Sequence, residues 1–132
     1  MKYYVASSVF NAARVNEAAS VLTGNGHARV YDWTKHGDIS RADAETKREV
    51  AETEARAVEA AELVVLLLPG RFGTHAELGI AIASHENKRI LLWSETDAPF
   101  TGAEGFCVFY HHPAVERFTG AFSEFLAYLS TL

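Results

Sequence analysis

The chain of 132 residues carries 17 acidic and 12 basic side chains, a net charge of −5, which argues against a nucleic-acid surface built on a basic patch. Hydrophobic residues make up 48% and charged residues 22%, a globular balance, and the length suits one domain over 1–132 rather than two. The single cysteine, Cys107, excludes a disulfide within the chain and reads as a small buried side chain.

Lys2–Ala6 is a short apolar stretch and reads as the first strand. With a strand beginning at residue 2 and no apolar run of membrane-spanning length, the expectation is a cytoplasmic protein without a signal peptide. Ala13–Thr23 follows as a helix, with Val15, Ala18, Ala19 and Leu22 on one face, and Gly24-Asn25-Gly26 ends it. Ala28–Tyr31 reads as the second strand and Asp32–Ile39 as a polar loop holding Trp33, His36 and Gly37. Ser40 with Asp43 gives a capping signal for a long helix running to about Ala61.

Leu63–Leu68 is a run of six apolar residues, the pattern of a strand buried on both faces. Pro69 and Gly70 stop it, and Gly73 and Thr74 lead into a helix over His75–Ser84. Arg89–Trp93 is the fourth strand, Ser94–Gly105 a loop, and Phe106–Tyr110 the expected fifth strand. Pro113 then opens the last helix, whose apolar face is Val115, Phe118, Phe122, Phe125, Leu126 and Leu129.

Strands alternating with helices predict an α/β fold, a single doubly wound parallel sheet covered on both faces. The expected form is flavodoxin-like, with five strands in the order 2-1-3-4-5. Ligands in such sheets bind beyond the carboxyl ends of the strands, where the order reverses. That lies between the first and third strands, at Ser7–Asn11 and Pro69–Thr74, beside Asp32 and Trp33.

A buried strand, a glycine-bearing turn and a helix N-terminus form a place where backbone N–H groups hold an anion. Glu77 falls in the expected first turn of that helix. The same segment also fits a capping box, Thr74 at the N-cap and Glu77 three residues on, which would explain both without chemistry. Ser7 and Ser8 suit phosphate binding or a plain helix cap. Arg71 suits a phosphate or carboxylate, or solvent.

Glu54 lies on the apolar stripe of its helix, four residues after Val50 and four before Val58. The other carboxylates fall on the wet face, where Asp43 with Lys47 and Glu52 with Arg56 are spaced as favourable pairs. A carboxylate facing the core needs a structural partner or a function. The six histidines show no metal-ligand spacing. His75 reads as a solvent-facing helix residue and Phe10 as packing.

Gly73-Thr74-His75-Ala76-Glu77-Leu78-Gly79 with Ala81 resembles the active-site segment of the nucleoside 2-deoxyribosyltransferase superfamily, which includes nucleoside 5′-monophosphate N-glycosidases. Tyr3-Tyr4-Val5-Ala6-Ser7-Ser8-Val9-Phe10 is similar to its first strand and loop, and Tyr31-Asp32-Trp33-Thr34 to a segment of its small members. The resemblance implies that Glu77 is the nucleophile and that Tyr4 and Ser8 line the site. It places Glu54 where members usually carry an Asp that protonates the base or holds the sugar, eight residues before Glu62. Six residues before the nucleophile, the transferases have Asp and the nucleotide hydrolases Ser; here Arg71 stands there and suits a 5′-phosphate.

The implied reaction is cleavage of an N-glycosidic bond in a nucleoside or nucleoside 5′-monophosphate. Glu77 forms a glycosyl-enzyme ester that water or a second base resolves, and the helix N-terminal amides keep it ionised. Glu54 or Asp32 would serve as the acid. Tyr4, Ser7, Ser8, Asp32, Trp33, Gly70, Arg71, Gly73 and Thr74 would bind substrate. No metal or organic cofactor is required, the partner is a small molecule, and the resemblance implies a homodimer or higher homo-oligomer. Two alternatives stay open. Pro69-Gly70-Arg71-Phe72-Gly73-Thr74-His75-Ala76-Glu77 is also similar to the motif of the cytokinin-activating phosphoribohydrolases, and the same fold could serve a non-catalytic nucleotide-binding or sensor module.

Overall fold

The computed structural model describes residues 1–102 and 107–132. The described strands are β1 (Lys2–Ala6), β2 (Ala28–Arg29), β3 (Leu63–Leu67), β4 (Arg89–Ser94) and β5 (Val115–Thr119). All pairings are parallel, in the order β2-β1-β3-β4-β5. The helices are α1 (Ala12–Gly24), α2 (Ala44–Ala60), α3 (Phe72–Ala83) and α4 (Phe122–Leu129). α1 packs against α4 and α2 against α3, one pair on each face, as right-handed crossovers require when the chain reverses direction after β2. This is the doubly wound sheet anticipated from the alternation. No helix among the described residues is long and apolar enough to cross a membrane.

Strand alternation divides the work of neighbouring side chains. Tyr3 points toward α1, where its hydroxyl donates to Ala19 O at 3.0 Å and meets Thr23 Oγ1 at 2.8 Å. Tyr4 points to the opposite face, toward α3. β3 is buried along its whole length, and Tyr3, Tyr4, Leu66, Leu91 and Trp93 anchor the core. A cis Leu68–Pro69 peptide bond follows β3. Ser7 Oγ donates to Leu67 O at 2.7 Å, tying the carboxyl ends of β1 and β3 together.

The fifth strand lies later than its sequence suggests. Phe106 and Gly105, expected at the strand start and loop end, lie outside the described residues. Val108–His111 is a 3-10 turn in which Val108 and Phe109 are exposed, and Cys107 is only half-buried. The strand is Val115–Thr119, within the stretch that reads as the start of the last helix. Val115 and Phe118 fit the i, i+3 spacing of the helix that follows, which disguises them. Gly120, at φ 148°, breaks that continuity, and α4 begins at Phe122. Glu116 looks polar for a strand because it sits at the sheet edge, where Arg89 grips it from β4 at 2.8 and 3.1 Å.

Two helix starts also differ from expectation. Asp43, not Ser40, caps α2, accepting from Thr46 N at 2.8 Å, so its carboxylate is a cap rather than a partner for Lys47. α3 begins at Phe72, three residues before His75. Thr74 is therefore inside the helix, and its hydroxyl accepts from Arg71 N at 3.3 Å. That shift moves Glu77 to the second turn and removes it from any capping box.

Candidate active site

A cavity of about 480 Å³ opens at the carboxyl ends of β1 and β3. Its walls are the Ser7–Phe10 segment, the His36–Ser40 loop, Val50 and Glu54 of α2, and the first turns of α3. Of the residues singled out from the sequence, Ser7, Ser8, Trp33, Glu54, Arg71, Gly73, Thr74 and Glu77 line it. A smaller cavity of about 300 Å³ adjoins it, bounded by Ser8, Phe10, Asn11, Pro69, Gly70 and Arg71.

Glu77 is 7% exposed and accepts a hydrogen bond from the Tyr4 hydroxyl. Burial pushes its carboxyl up to about 8; the Tyr4 bond opposes the rise and the charge of Glu54 adds to it. The expectation that helix N-terminal amides keep Glu77 ionised is therefore corrected. Glu77 is the sixth residue of α3, past the first turn where the dipole and free N–H groups act. Burial raises the Tyr4 hydroxyl far above the ordinary tyrosine range, reinforced by the Glu77 and Glu54 charges, so Tyr4 stays a proton donor.

Glu54 faces the cavity with 24% of its side chain exposed. Burial raises its carboxyl, and His36 opposes the rise. His36 Nε2 lies 3.5 Å from Glu54 Oε1. The side chain that stands beside Glu54, where the sequence left a structural partner open, is this histidine, three residues after Trp33.

Trp33 is 5% exposed, and its indole N–H donates to Val5 O at 2.8 Å. It forms cavity wall with its only polar atom already used. Asp32 is not brought to the cavity: its carboxylate accepts from Thr34 N at 3.0 Å and pairs with Arg29 at 3.0 Å. Gly70 borders the smaller cavity and has a packing reason, since a Cβ there would lie 2.5 Å from Thr74 Cγ2. Ser7 Oγ is held by Leu67 O and by Asn11 Nδ2 at 3.0 Å. Ser8 precedes the Val9–Asn11 3-10 turn and caps it with no side-chain hydrogen bond, leaving its hydroxyl for a ligand.

Two residues read from the sequence as bland, Phe10 and His75, stand otherwise. Phe10 is 80% exposed at the mouth, with the Arg71 guanidinium 5.9 Å from its ring centre. Phe72 is exposed beside it. His75 is half-buried rather than solvent-facing, its Nδ1 2.6 Å from Arg71 O and its Nε2 2.6 Å from the Tyr110 hydroxyl. A carbonyl only accepts, so the ring proton sits on Nδ1 and Tyr110 donates to Nε2. Among the described residues no three His, Cys, Asp or Glu side chains cluster as metal ligands do.

Chemically, the site sets a buried carboxylate with a fixed hydroxyl donor opposite a second carboxylate that is paired with histidine. A cation and a free hydroxyl stand at the rim. Such a set has the groups that can supply a nucleophile, an acid and an anion grip around one cleft.

No family model and no curated protein matches the chain. Among solved structures, the CMP N-glycosidase BcmB of Clostridium botulinum is similar, with 17% identity, a TM-score of 0.67 and 98% of each chain covered. A conserved protein of Enterococcus faecalis V583 is similar at 18% identity and a TM-score of 0.63, over 99% of this chain and 98% of that one. These likenesses show the fold, and it is the fold that the family resemblance implied.

Proposed function

We propose that this chain is an N-glycosidase of the nucleoside 2-deoxyribosyltransferase superfamily that acts on nucleoside 5′-monophosphates. The observation that carries this reading is Glu77: a buried carboxylate at an open cleft, held by Tyr4 rather than by its own helix. The carboxylate attacks C1′ as the base departs with oxocarbenium character, forming a glycosyl ester on Glu77. Glu54, raised by burial, supplies the proton to the departing base. Water then resolves the ester in a hydrolase, or a second base does so in a transferase.

Arg71 and Ser8 favour the phosphorylated substrate, since both border the larger and the smaller cavity and Ser8 has its hydroxyl free. The fold shared with a CMP N-glycosidase supports the same bond type. A homo-oligomer belongs to this reading, supported by the exposed Phe10, Phe72, Val108 and Phe109.

The test is incubation with a panel of nucleosides and 5′-monophosphates, with and without a second free base, followed by chromatography. Released base marks a hydrolase and exchanged base a transferase. Binding without either overturns the enzymatic reading in favour of a sensor module. The Glu77→Gln variant is expected to lose several orders of magnitude in rate; base release at the wild-type rate removes Glu77 from the chemistry.

A further inference from the structure

His75 lies two residues before Glu77 on α3 and borders neither cavity. Its ring is nevertheless bonded at both nitrogens. Nδ1 donates to Arg71 O at 2.6 Å, and the backbone N–H of His75 donates to the same oxygen at 3.1 Å. An N-cap carbonyl takes the backbone bond as a matter of course; the ring doubles the hold. On the other side of the same Cα, Arg71 N donates to Thr74 Oγ1 at 3.3 Å. Both peptide groups flanking Arg71 are therefore pinned, at φ −122° and ψ −156°. These two torsions set the direction in which its side chain leaves the backbone. The guanidinium arrives over Phe10, between the two cavities.

The other ring nitrogen, Nε2, meets the Tyr110 hydroxyl at 2.6 Å. Tyr110 is buried, lies edge-on to Phe100 at 5.8 Å, and its carbonyl accepts from Arg117 of β5 at 3.0 Å. Among the described residues its hydroxyl bonds to nothing but this nitrogen. Burial pushes that hydroxyl up to about 12, so it keeps a proton to donate. A donor at Nε2 leaves Nδ1 to carry the ring proton, which is the tautomer that Arg71 O needs. The opposite tautomer would turn an Nδ1 lone pair toward the lone pairs of that carbonyl.

We propose that His75 is a positioning residue that aims Arg71 at the phosphate of a nucleoside 5′-monophosphate, with Tyr110 selecting the ring tautomer that does so. This rests on the N-glycosidase reading for its ligand, whereas the bonds among Arg71, His75 and Tyr110 stand without it. Arg71 is exposed at the rim, and a long side chain on a loose backbone loses affinity to the ordering that binding demands. Here the backbone is ordered beforehand, and the Phe10 ring restrains the guanidinium. The hold runs from β5 through Arg117 and Tyr110 to His75, and from there to the grip. A ring that merely capped α3 would act on all substrates alike.

The test compares kcat and KM for 5′-monophosphates and for the corresponding nucleosides, with an inhibition constant in place of KM where a compound binds without turnover. His75→Gln places an amide where Nε2 stood and leaves the place of Nδ1 empty; His75→Asn does the reverse. His75→Gln is expected to raise KM for monophosphates by about fivefold, with kcat and the nucleoside KM at wild-type values. His75→Asn is expected to restore the wild-type KM. Tyr110→Phe should raise the same KM beside the native histidine and change nothing in the His75→Asn background, which has no tautomer to select. In the Arg71→Gln background, His75→Gln should have no further effect.

A rise shared by nucleosides, a loss confined to kcat, or an undiminished effect in the Arg71→Gln background means that the ring only caps the helix, and overturns the proposal. If wild type releases no base from any substrate, the N-glycosidase reading falls. The brace is then read by 15N NMR of the His75 ring. A proton held on Nδ1 in wild type and divided between the nitrogens in Tyr110→Phe supports it; the same tautomer in both overturns it.

Discussion

The hydroxyl of Tyr4, in the first strand, donates to the carboxylate of Glu77, in the third helix, across 73 residues of chain. β1 and β3 are neighbours in the sheet, with Tyr4 opposite Val64, so the bond crosses the place where the strand order reverses. Both partners are buried. The bond therefore holds the carboxylate in place and lowers its proton affinity against the burial that raises it. Removing the hydroxyl in Tyr4→Phe should move the Glu77 titration further up. The acid limb of kcat/KM for base release should follow it to higher pH, with the rate near pH 7 down by about tenfold or more. The lost bond should also cost about 1–3 kcal/mol in urea unfolding. An acid limb at the wild-type position would show that the hydroxyl does not tune Glu77.

Glu77 also couples stability to pH. Its carboxyl is pushed up to about 8 in the folded chain, against about 4.3 for a free glutamate. Between these values the folded state holds a proton that the unfolded state has released. Stability therefore falls as pH rises through that window, and the penalty is complete above about pH 8. Glu77→Gln removes the penalty and keeps an oxygen that can accept from Tyr4. Thermal melts should show the variant gaining on wild type at pH 8, by on the order of a few kcal/mol, and gaining far less at pH 4. On the proposed mechanism the same substitution removes the nucleophile, so base release should be lost as stability is gained. Equal gains at both pH values would place the Glu77 titration outside this window.

The sheet was legible because its central strands, β1, β3 and β4, are buried along nearly their whole length. Leu63–Leu68 cannot be anything but an interior element at that length, and the alternation of elements leaves one sensible strand order. β5 was not legible, because an edge strand buries little and Glu116 and Arg117 read as helix surface. The position of Glu77 was legible to within a turn. Its surroundings were not, since the start of α3 is set by Thr74 reaching back to Arg71 N, a bond that no periodicity encodes. The cofacing of Glu54 and the cleft followed from helix spacing, whereas His36 sits in a loop and has no period to betray it. Phe10 misled in the ordinary way: aromatic residues are presumed to be packed, and this one stands at the mouth.

The Arg71 guanidinium lies over Phe10 at the rim, between the two cavities. A phosphate seated there would take charge-assisted hydrogen bonds from Arg71 and the Ser8 hydroxyl. Arg71→Gln keeps the backbone N–H that bonds Thr74 and so leaves the start of α3 intact. KM for 5′-monophosphates should rise by about tenfold or more, while KM for the corresponding nucleosides stays unchanged. A matching rise for both substrate classes would mean that Arg71 supports the rim and does not read the phosphate.

Lys88 tests the scaffold without touching the cleft. Its ammonium, just before β4, donates to Val58 O at 2.9 Å and Glu59 O at 3.0 Å, and also to Ala61 O. These are carbonyls at the end of α2, which lack intrahelical partners and carry the negative end of the helix dipole. Burial lowers the Lys88 ammonium, with Glu59 and Glu62 opposing the change. Lys88→Met fills similar volume and leaves three carbonyls without their donor. Unfolding in urea should show a loss of about 1–3 kcal/mol with an unchanged m-value, and kcat and KM should stay at wild-type levels. An unchanged midpoint would mean that water replaces the ammonium at little cost. A changed KM would mean that α2, which carries Glu54, is held in register by this cap.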